Sequence, residues 1–173
     1  MGRKTLCVLL SLAMWIVLCS VVLDTDSTAG EKPSSGQGIT PIYPAGIKPI
    51  APYSPAIMYG DLIFISGQIP YAKGAIPDHA KDGKDDIKDQ TVIVMENLKT
   101  VLAEAGLTFK NVLMATVFIT DLNLYGDFNK VYGPYWTNEG LTPPARATVE
   151  VGALPGSKPG APVLVEISMI AGK

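Results

Sequence analysis

From Asp85 onward the apolar residues fall on a helical period: Ile87, Thr91, Met95, Leu98, Leu102 and Ala105 recur at three- and four-residue steps. A helix that long, with one apolar stripe, must lay that stripe on a partner. Gly106 stands where a helix end calls for a left-handed residue. Shortly after it, Val112 to Thr120 is continuously apolar and rich in β-branched and aromatic residues, the signature of a strand covered on both faces. A long one-sided helix followed closely by a central strand restricts the chain to layers of sheet and helix.

The remaining elements fit that frame. Leu62–Ser66 reads as a strand closed by Gly67, and Tyr59-Gly60-Asp61 reads as the hairpin turn from an earlier strand near Ala56-Ile57-Met58. Ala72 to Lys84 is polar and turn-rich, a solvent-facing loop. Asp121 can cap a second helix whose buried side is expected to carry Leu124, Phe128, Val131 and Tyr135. Gly126, Gly133 and Pro134 predict that this helix is short or kinked at its end. Arg146–Val151 and Val163–Ile170 are two more strands, and Ile47–Ile50 leaves room for a further edge strand. The expected fold class is α+β, a single domain over residues 47–173, with one sheet and both helices on one face.

The chain of 173 residues is 47% hydrophobic and 17% charged, which suits one folded core rather than a disordered chain. Its net charge of -2 argues against nucleic acid as a partner, because phosphate binding draws on an excess of Lys and Arg. Residues 1–29 have a separate character. Arg3 and Lys4 precede an apolar run from Leu6 to Leu23, a polar stretch begins at Asp24, and Ser27-Thr28-Ala29 offers small residues for cleavage. That is the layout of an export signal, and its length also approaches the roughly 20 apolar residues of a membrane anchor. Acylation at Cys19 is disfavoured by the bulky Val17 and Leu18 before it. The expectation is export to the periplasm or beyond, with a membrane role only through residues 6–23 if they are retained. Residues 30–46, rich in Gly, Pro and Ser, read as a flexible tether. Both cysteines, Cys7 and Cys19, lie in the first segment, so the domain holds no disulfide, metal–thiolate site or cysteine nucleophile.

Few groups in the domain can do chemistry. Arg146 follows the rigid Pro143-Pro144 pair at the head of a strand. Its planar fork fits a small carboxylate; the alternative is an ion pair with a surface Asp or Glu. Glu166 alternates with Val165 and Ile167, so it lies either on an exposed face or in a pocket where desolvation raises its pKa and suits it to proton transfer. Ser66-Gly67-Gln68 ends a strand in a turn, where a hydroxyl and a backbone N–H can face a ligand. A Ser–His triad is disfavoured, since the single histidine, His79, sits in the charged loop. Asp82, Asp85, Asp86 and Asp89 lack the glycine and terminal glutamate of a calcium loop and read as an acid-rich helix start. No metal-ligand cluster appears. Tyr53, between Pro52 and Pro55, either packs or places its ring over a ligand.

These segments resemble the Rid/YjgF family of enamine/imine deaminases. The matching pieces are Ala51-Pro52-Tyr53-Ser54-Pro55-Ala56, Ser66-Gly67-Gln68-Ile69-Pro70, Asn97-Leu98 through Ala105-Gly106-Leu107, Thr116-Val117-Phe118-Ile119-Thr120-Asp121-Leu122, Phe128-Asn129-Lys130-Val131-Tyr132, Pro144-Ala145-Arg146-Ala147-Thr148-Val149-Glu150-Val151 and Val165-Glu166-Ile167. They run in order with ordinary spacing from about residue 47 to 172. The resemblance implies a homotrimer of chorismate-mutase-like domains, one mixed and mainly antiparallel sheet each, with sites in the clefts between subunits. It implies hydrolysis, without a cofactor, of enamines and imines such as 2-aminoacrylate to 2-oxo acids and ammonia. Arg146 then grips the substrate carboxylate, Glu166 positions water or moves a proton, and Tyr53, Ser66, Gly67 and Asn129 match substrate-binding positions. Thr148 stands where active members often carry cysteine, Gly133-Pro134 interrupts the helix near the pocket wall, and export separates the chain from cytoplasmic sources of 2-aminoacrylate. The alternative function is a non-catalytic trimer of the same fold that binds small carboxylates. RNA cleavage, attributed to some relatives, fits poorly with the acidic balance.

Overall fold

The computed structural model describes residues 38–173. The expected signal or anchor at 1–29 and residues 30–37 of the expected tether lie outside that range. Six strands and three α-helices follow in order: β1 (Thr40–Ile42), β2 (Ala56–Tyr59), β3 (Leu62–Gln68), α1 (Asp86–Glu104), β4 (Val112–Ile119), α2 (Tyr125–Tyr132), α3 (Pro134–Thr137), β5 (Ala145–Glu150) and β6 (Val165–Gly172). The six strands form one sheet in the order β1-β2-β3-β6-β4-β5, parallel only between β4 and β5. The α+β class, the mixed and mainly antiparallel sheet and the helices on one face are as expected.

The edge strand is not at Ile47–Ile50. It lies at Thr40–Ile42, inside the segment read as tether, and pairs with Met58, Ile57 and Ala56. Pro41 lacks an N–H, which an outer strand tolerates because one side of it has no partner. Ile47 instead packs against the core from an irregular segment. The β2–β3 hairpin opposes Tyr59 to Leu62, and Gly60 adopts φ +60 at the first turn position, as a type II′ turn demands.

Helix α1 buries Ile87, Thr91, Met95, Leu98 and Leu102, and also Val94 and Val101. Its end is closed by two backbone bonds, Leu107 N to Leu102 O and Gly106 N to Ala103 O, both 2.9 Å, with Gly106 at φ +72. That is a Schellman cap, and it explains the glycine. Asp121 does cap, accepting from Asn123 N at 2.8 Å, but the turn it opens at Leu122–Leu124 is 3₁₀. Within the helix that follows, the deeply buried line runs at four-residue steps through the rings of Phe128, Tyr132 and Trp136, while Val131 and Tyr135 lie at the margin. Neighbouring ring centroids are 5.2 and 4.6 Å apart. The expected break falls between α2 and α3 at Gly133-Pro134.

Alternation divides the sheet. Ile63, Ile65, Ala115, Val117, Ile119, Val165, Ile167 and Met169 are buried beneath the helices. Phe64, Phe118, Glu166 and Ile170 point the other way, as the pairs Phe64↔Ile170 and Phe118↔Glu166 require. Around Phe64 and Val149, 43% and 47% exposed, no helix of the described residues covers that second face. The loop at Ala72–Lys84 is mainly exposed, but Ile76 and Ala80 dock it in a small cluster with Leu154 and Val163. The buried Gln90 fastens it by donating to Ala80 O at 3.0 Å.

Candidate functional site

Arg146 is the second residue of β5, and the parallel register sets it beside Ala115 of β4, on the helix-covered side. It is half-buried against α2. Nη1 donates to Asn129 Oδ1 at 2.9 Å and Nη2 donates to the Tyr125 hydroxyl at 2.6 Å. The guanidinium carbon stands 5.4, 5.6 and 4.7 Å from the ring centres of Tyr125, Phe128 and Tyr132. Among the described residues no carboxylate pairs with it. The surface ion-pair alternative is thereby set aside. Neutral oxygens and aromatic faces fix the fork while leaving its charge uncompensated.

Around it lies an open cavity of about 620 Å³ lined by Leu122, Tyr125, Asn129, Tyr132, Arg146 and Thr148, among others. The Tyr132 hydroxyl and Thr148 Oγ1 are buried without a hydrogen-bond partner. Burial pushes the Tyr132 phenol up to about 12, with the Arg146 charge opposing the rise, so it stays protonated at ordinary pH.

Glu166 belongs to a different cleft. A register shift in β3 between Ile65 and Gln68 places one extra residue opposite β6, and this bulge turns Ser66-Gly67 toward Glu166. Ile50, Tyr53, Ser66, Gly67, Pro155 and Glu166 line a cleft of about 340 Å³. A Cβ built on Gly67 would overlap the Glu166 carboxylate, so glycine is what lets the acid lie against the strand. Ser66 does not offer its proton to a ligand: Oγ donates to Ser54 O at 2.8 Å and ties the Tyr53 segment to β3. Burial raises the Glu166 pKa above its ordinary value, and no hydrogen bond or cation among the described residues holds it.

The structure thus gathers Arg146 with Asn129, and Glu166 with Tyr53, Ser66 and Gly67. It does not bring the two sets together, because they lie on opposite faces of one sheet. Sequence reasoning missed Tyr125 and gave Phe128 and Tyr132 no part in the site. Phe128, Asn129 and Tyr132 lie three, four and seven residues after Tyr125, and that is the helical signal that could have found them.

Gly67→Ala is expected to leave the fold intact, since the group in its way is a mobile side-chain end. It should displace the carboxylate by about 1 Å while the melting temperature stays near that of the wild type, which a structure and a thermal melt of the variant would check.

A six-stranded sheet of this topology, with helices on one face and a cleft at each of the two residue sets, defines a small single-domain α+β protein. Residues 44–173 match the family model described as Endoribonuclease L-PSP. The chain is 42% identical over 126 residues to a RutC family protein of Sulfurisphaera tokodaii, covering 73% of this chain and 91% of that one. It is 36% identical over 124 residues to TdcF of Escherichia coli, whose name marks it as a candidate reactive intermediate deaminase, covering 70% and 87%. Among solved structures, E. coli TdcF with bound serine superposes with a TM-score of 0.67 at 34% identity, covering 78% of this chain and 98% of that one. The E. coli YjgF product gives 0.62 at 33% identity, covering 72% and 91%. The chain belongs to the Rid/YjgF family, the one whose model carries the L-PSP description.

Proposed function

We propose that this protein hydrolyses reactive imines and enamines of the 2-aminoacrylate type to 2-oxo acids and ammonia, without a cofactor. One observation carries the reading: a guanidinium locked by Asn129, Tyr125 and aromatic faces, with no carboxylate among the described residues to neutralise it. Such a group wants a small carboxylate from outside. The TdcF names and the bound serine of the TdcF structure support a small amino-acid-like ligand in this family.

The chemistry is short. The enamine tautomerises to the imine, whose carboxylate is anchored by Arg146 and whose carbon faces water. Glu166 takes a proton from that water as its oxygen bonds to the imine carbon, then returns it to nitrogen. Glu166 then takes the carbinolamine hydroxyl proton and passes it to the same nitrogen, so that C=O forms as the C–N bond breaks and ammonia leaves. A raised pKa suits Glu166 to both transfers. For Arg146 and Glu166 to act on one molecule, the two clefts must come from two copies of the chain. The apolar face around Phe64 and Val149 favours a closed assembly that covers it, and we propose a homotrimer. The Leu6–Leu23 run supports export of this enzyme, with its substrate arising outside the cytoplasm.

The test is ammonia release by the purified full-length protein from imines formed in situ by an amino-acid oxidase. Release that depends on Arg146 supports the reading. Arginine-dependent binding of 2-oxo acids with no turnover would select the non-catalytic alternative, which the self-sufficient Arg146 cavity favours.

A further inference from the structure

The Tyr125 phenol is placed to do more than hold Arg146. It opens α2, and its ring stacks on Phe128 with centroids 6.3 Å apart and an interplanar angle of 23°. Its oxygen lies 2.6 Å from Arg146 Nη2. A guanidinium nitrogen can only donate, so the phenol oxygen must be the acceptor there. The phenol's own proton therefore points away from Arg146, and no acceptor among the described residues receives it. Both Tyr125 and Arg146 line the same open cavity.

We propose that the Tyr125 hydroxyl is a second ligand of the substrate carboxylate, donating to one of its oxygens while accepting from Arg146. The inference rests on the reading of Arg146 as the carboxylate anchor. Asn129 and Tyr125 occupy one N–H on each terminal nitrogen, and the rest of the fork remains for substrate. A carboxylate on that edge has acceptor sites enough for both the fork and the phenol. The positive charge next to the phenol also polarises its O–H into a stronger donor. Two kinds of donor converging on one group select for a group made only of acceptors. A primary carboxamide would turn its own N–H₂ toward one of those donors and lose a bond.

The experiment compares Tyr125→Phe with the wild-type full-length protein, using 2-oxobutanoate and its primary amide as probes in calorimetric titrations. Phenylalanine keeps the ring packing, and a melting curve checks that it does. The expected result is about a tenfold weaker Kd for the acid and an unchanged Kd for the amide, with KM for imine rising while kcat stays near wild type. Unchanged acid affinity would overturn the proposal. An equal loss for acid and amide would also overturn it, since the hydroxyl would then act only by placing Arg146. Arg146→Ala serves as the separate reference. If that variant binds the acid as wild type does, the anchor reading itself falls.

Discussion

Arg146→Ala is expected to lower kcat/KM for a 2-imino acid by about 100- to 1,000-fold, the usual cost of removing a charged anchor from a partly desolvated site. The loss should appear in 2-oxo acid binding as well, because the carboxylate is present in substrate and product alike. The chain should stay folded. Truncation removes two hydrogen bonds, but Asn129 Oδ1 and the Tyr125 hydroxyl both border an open cavity and can turn to water. That limits the stability cost to about 1–2 kcal/mol. Arg146→Lys should recover only part of the activity, since an ammonium cannot hold Asn129, Tyr125 and a carboxylate at once in one plane. A folded Arg146→Ala variant with wild-type kinetics would remove the basis of the proposed function.

Glu166→Gln is expected to cut kcat by about 100- to 1,000-fold through loss of proton transfer, while leaving the affinity for a 2-oxo acid nearly unchanged. A base must be ionised to work, so wild-type kcat should climb with pH through a value above the ordinary 4.5 of a glutamate, and that limb should vanish in the variant. Stability should respond in the opposite sense. Because the folded-state pKa is raised, the folded chain holds this proton more tightly than the unfolded chain does. The contribution is fully present below pH 4.5 and is lost as pH rises through the folded value. At neutral pH the wild type therefore carries an ionised, half-buried carboxylate at some cost that the neutral glutamine avoids. Melting temperatures of variant and wild type should differ in favour of the variant at pH 7 and converge below pH 4.5. Equal melting temperatures at pH 7 would count against a desolvated carboxylate.

Much of this fold was legible because its long elements repeat. The α1 stripe from Ile87 to Leu102 and the alternation through Val165-Glu166-Ile167 are periodic over enough residues to be read directly. Thr40-Pro41-Ile42 is too short to show any period, and only its pairing with β2 makes it a strand. The buried face of α2 was hidden because Val131 and Tyr135 stand one residue before Tyr132 and Trp136, and either pair satisfies a helical period with Phe128. The site was half legible. Arg146 and Glu166 stand out as charges inside apolar strands, and alternation put Glu166 opposite the core residues. The face of Arg146, however, follows from its parallel register beside Ala115, a non-local pairing that no local pattern announces. The bulge at Ser66-Gly67 is likewise a property of β3 against β6 rather than of either strand alone.

The central claim is that Arg146 of one copy and Glu166 of another serve the same substrate. Arg146→Ala and Glu166→Gln chains, each inactive alone, can be unfolded, mixed in equal amounts, refolded together and assayed for ammonia release. Recovery of about a quarter of wild-type activity is expected, because each cleft draws its arginine and its glutamate independently from two kinds of chain in a cyclic assembly. Mixed assemblies that form yet stay as inactive as their parents would contradict it.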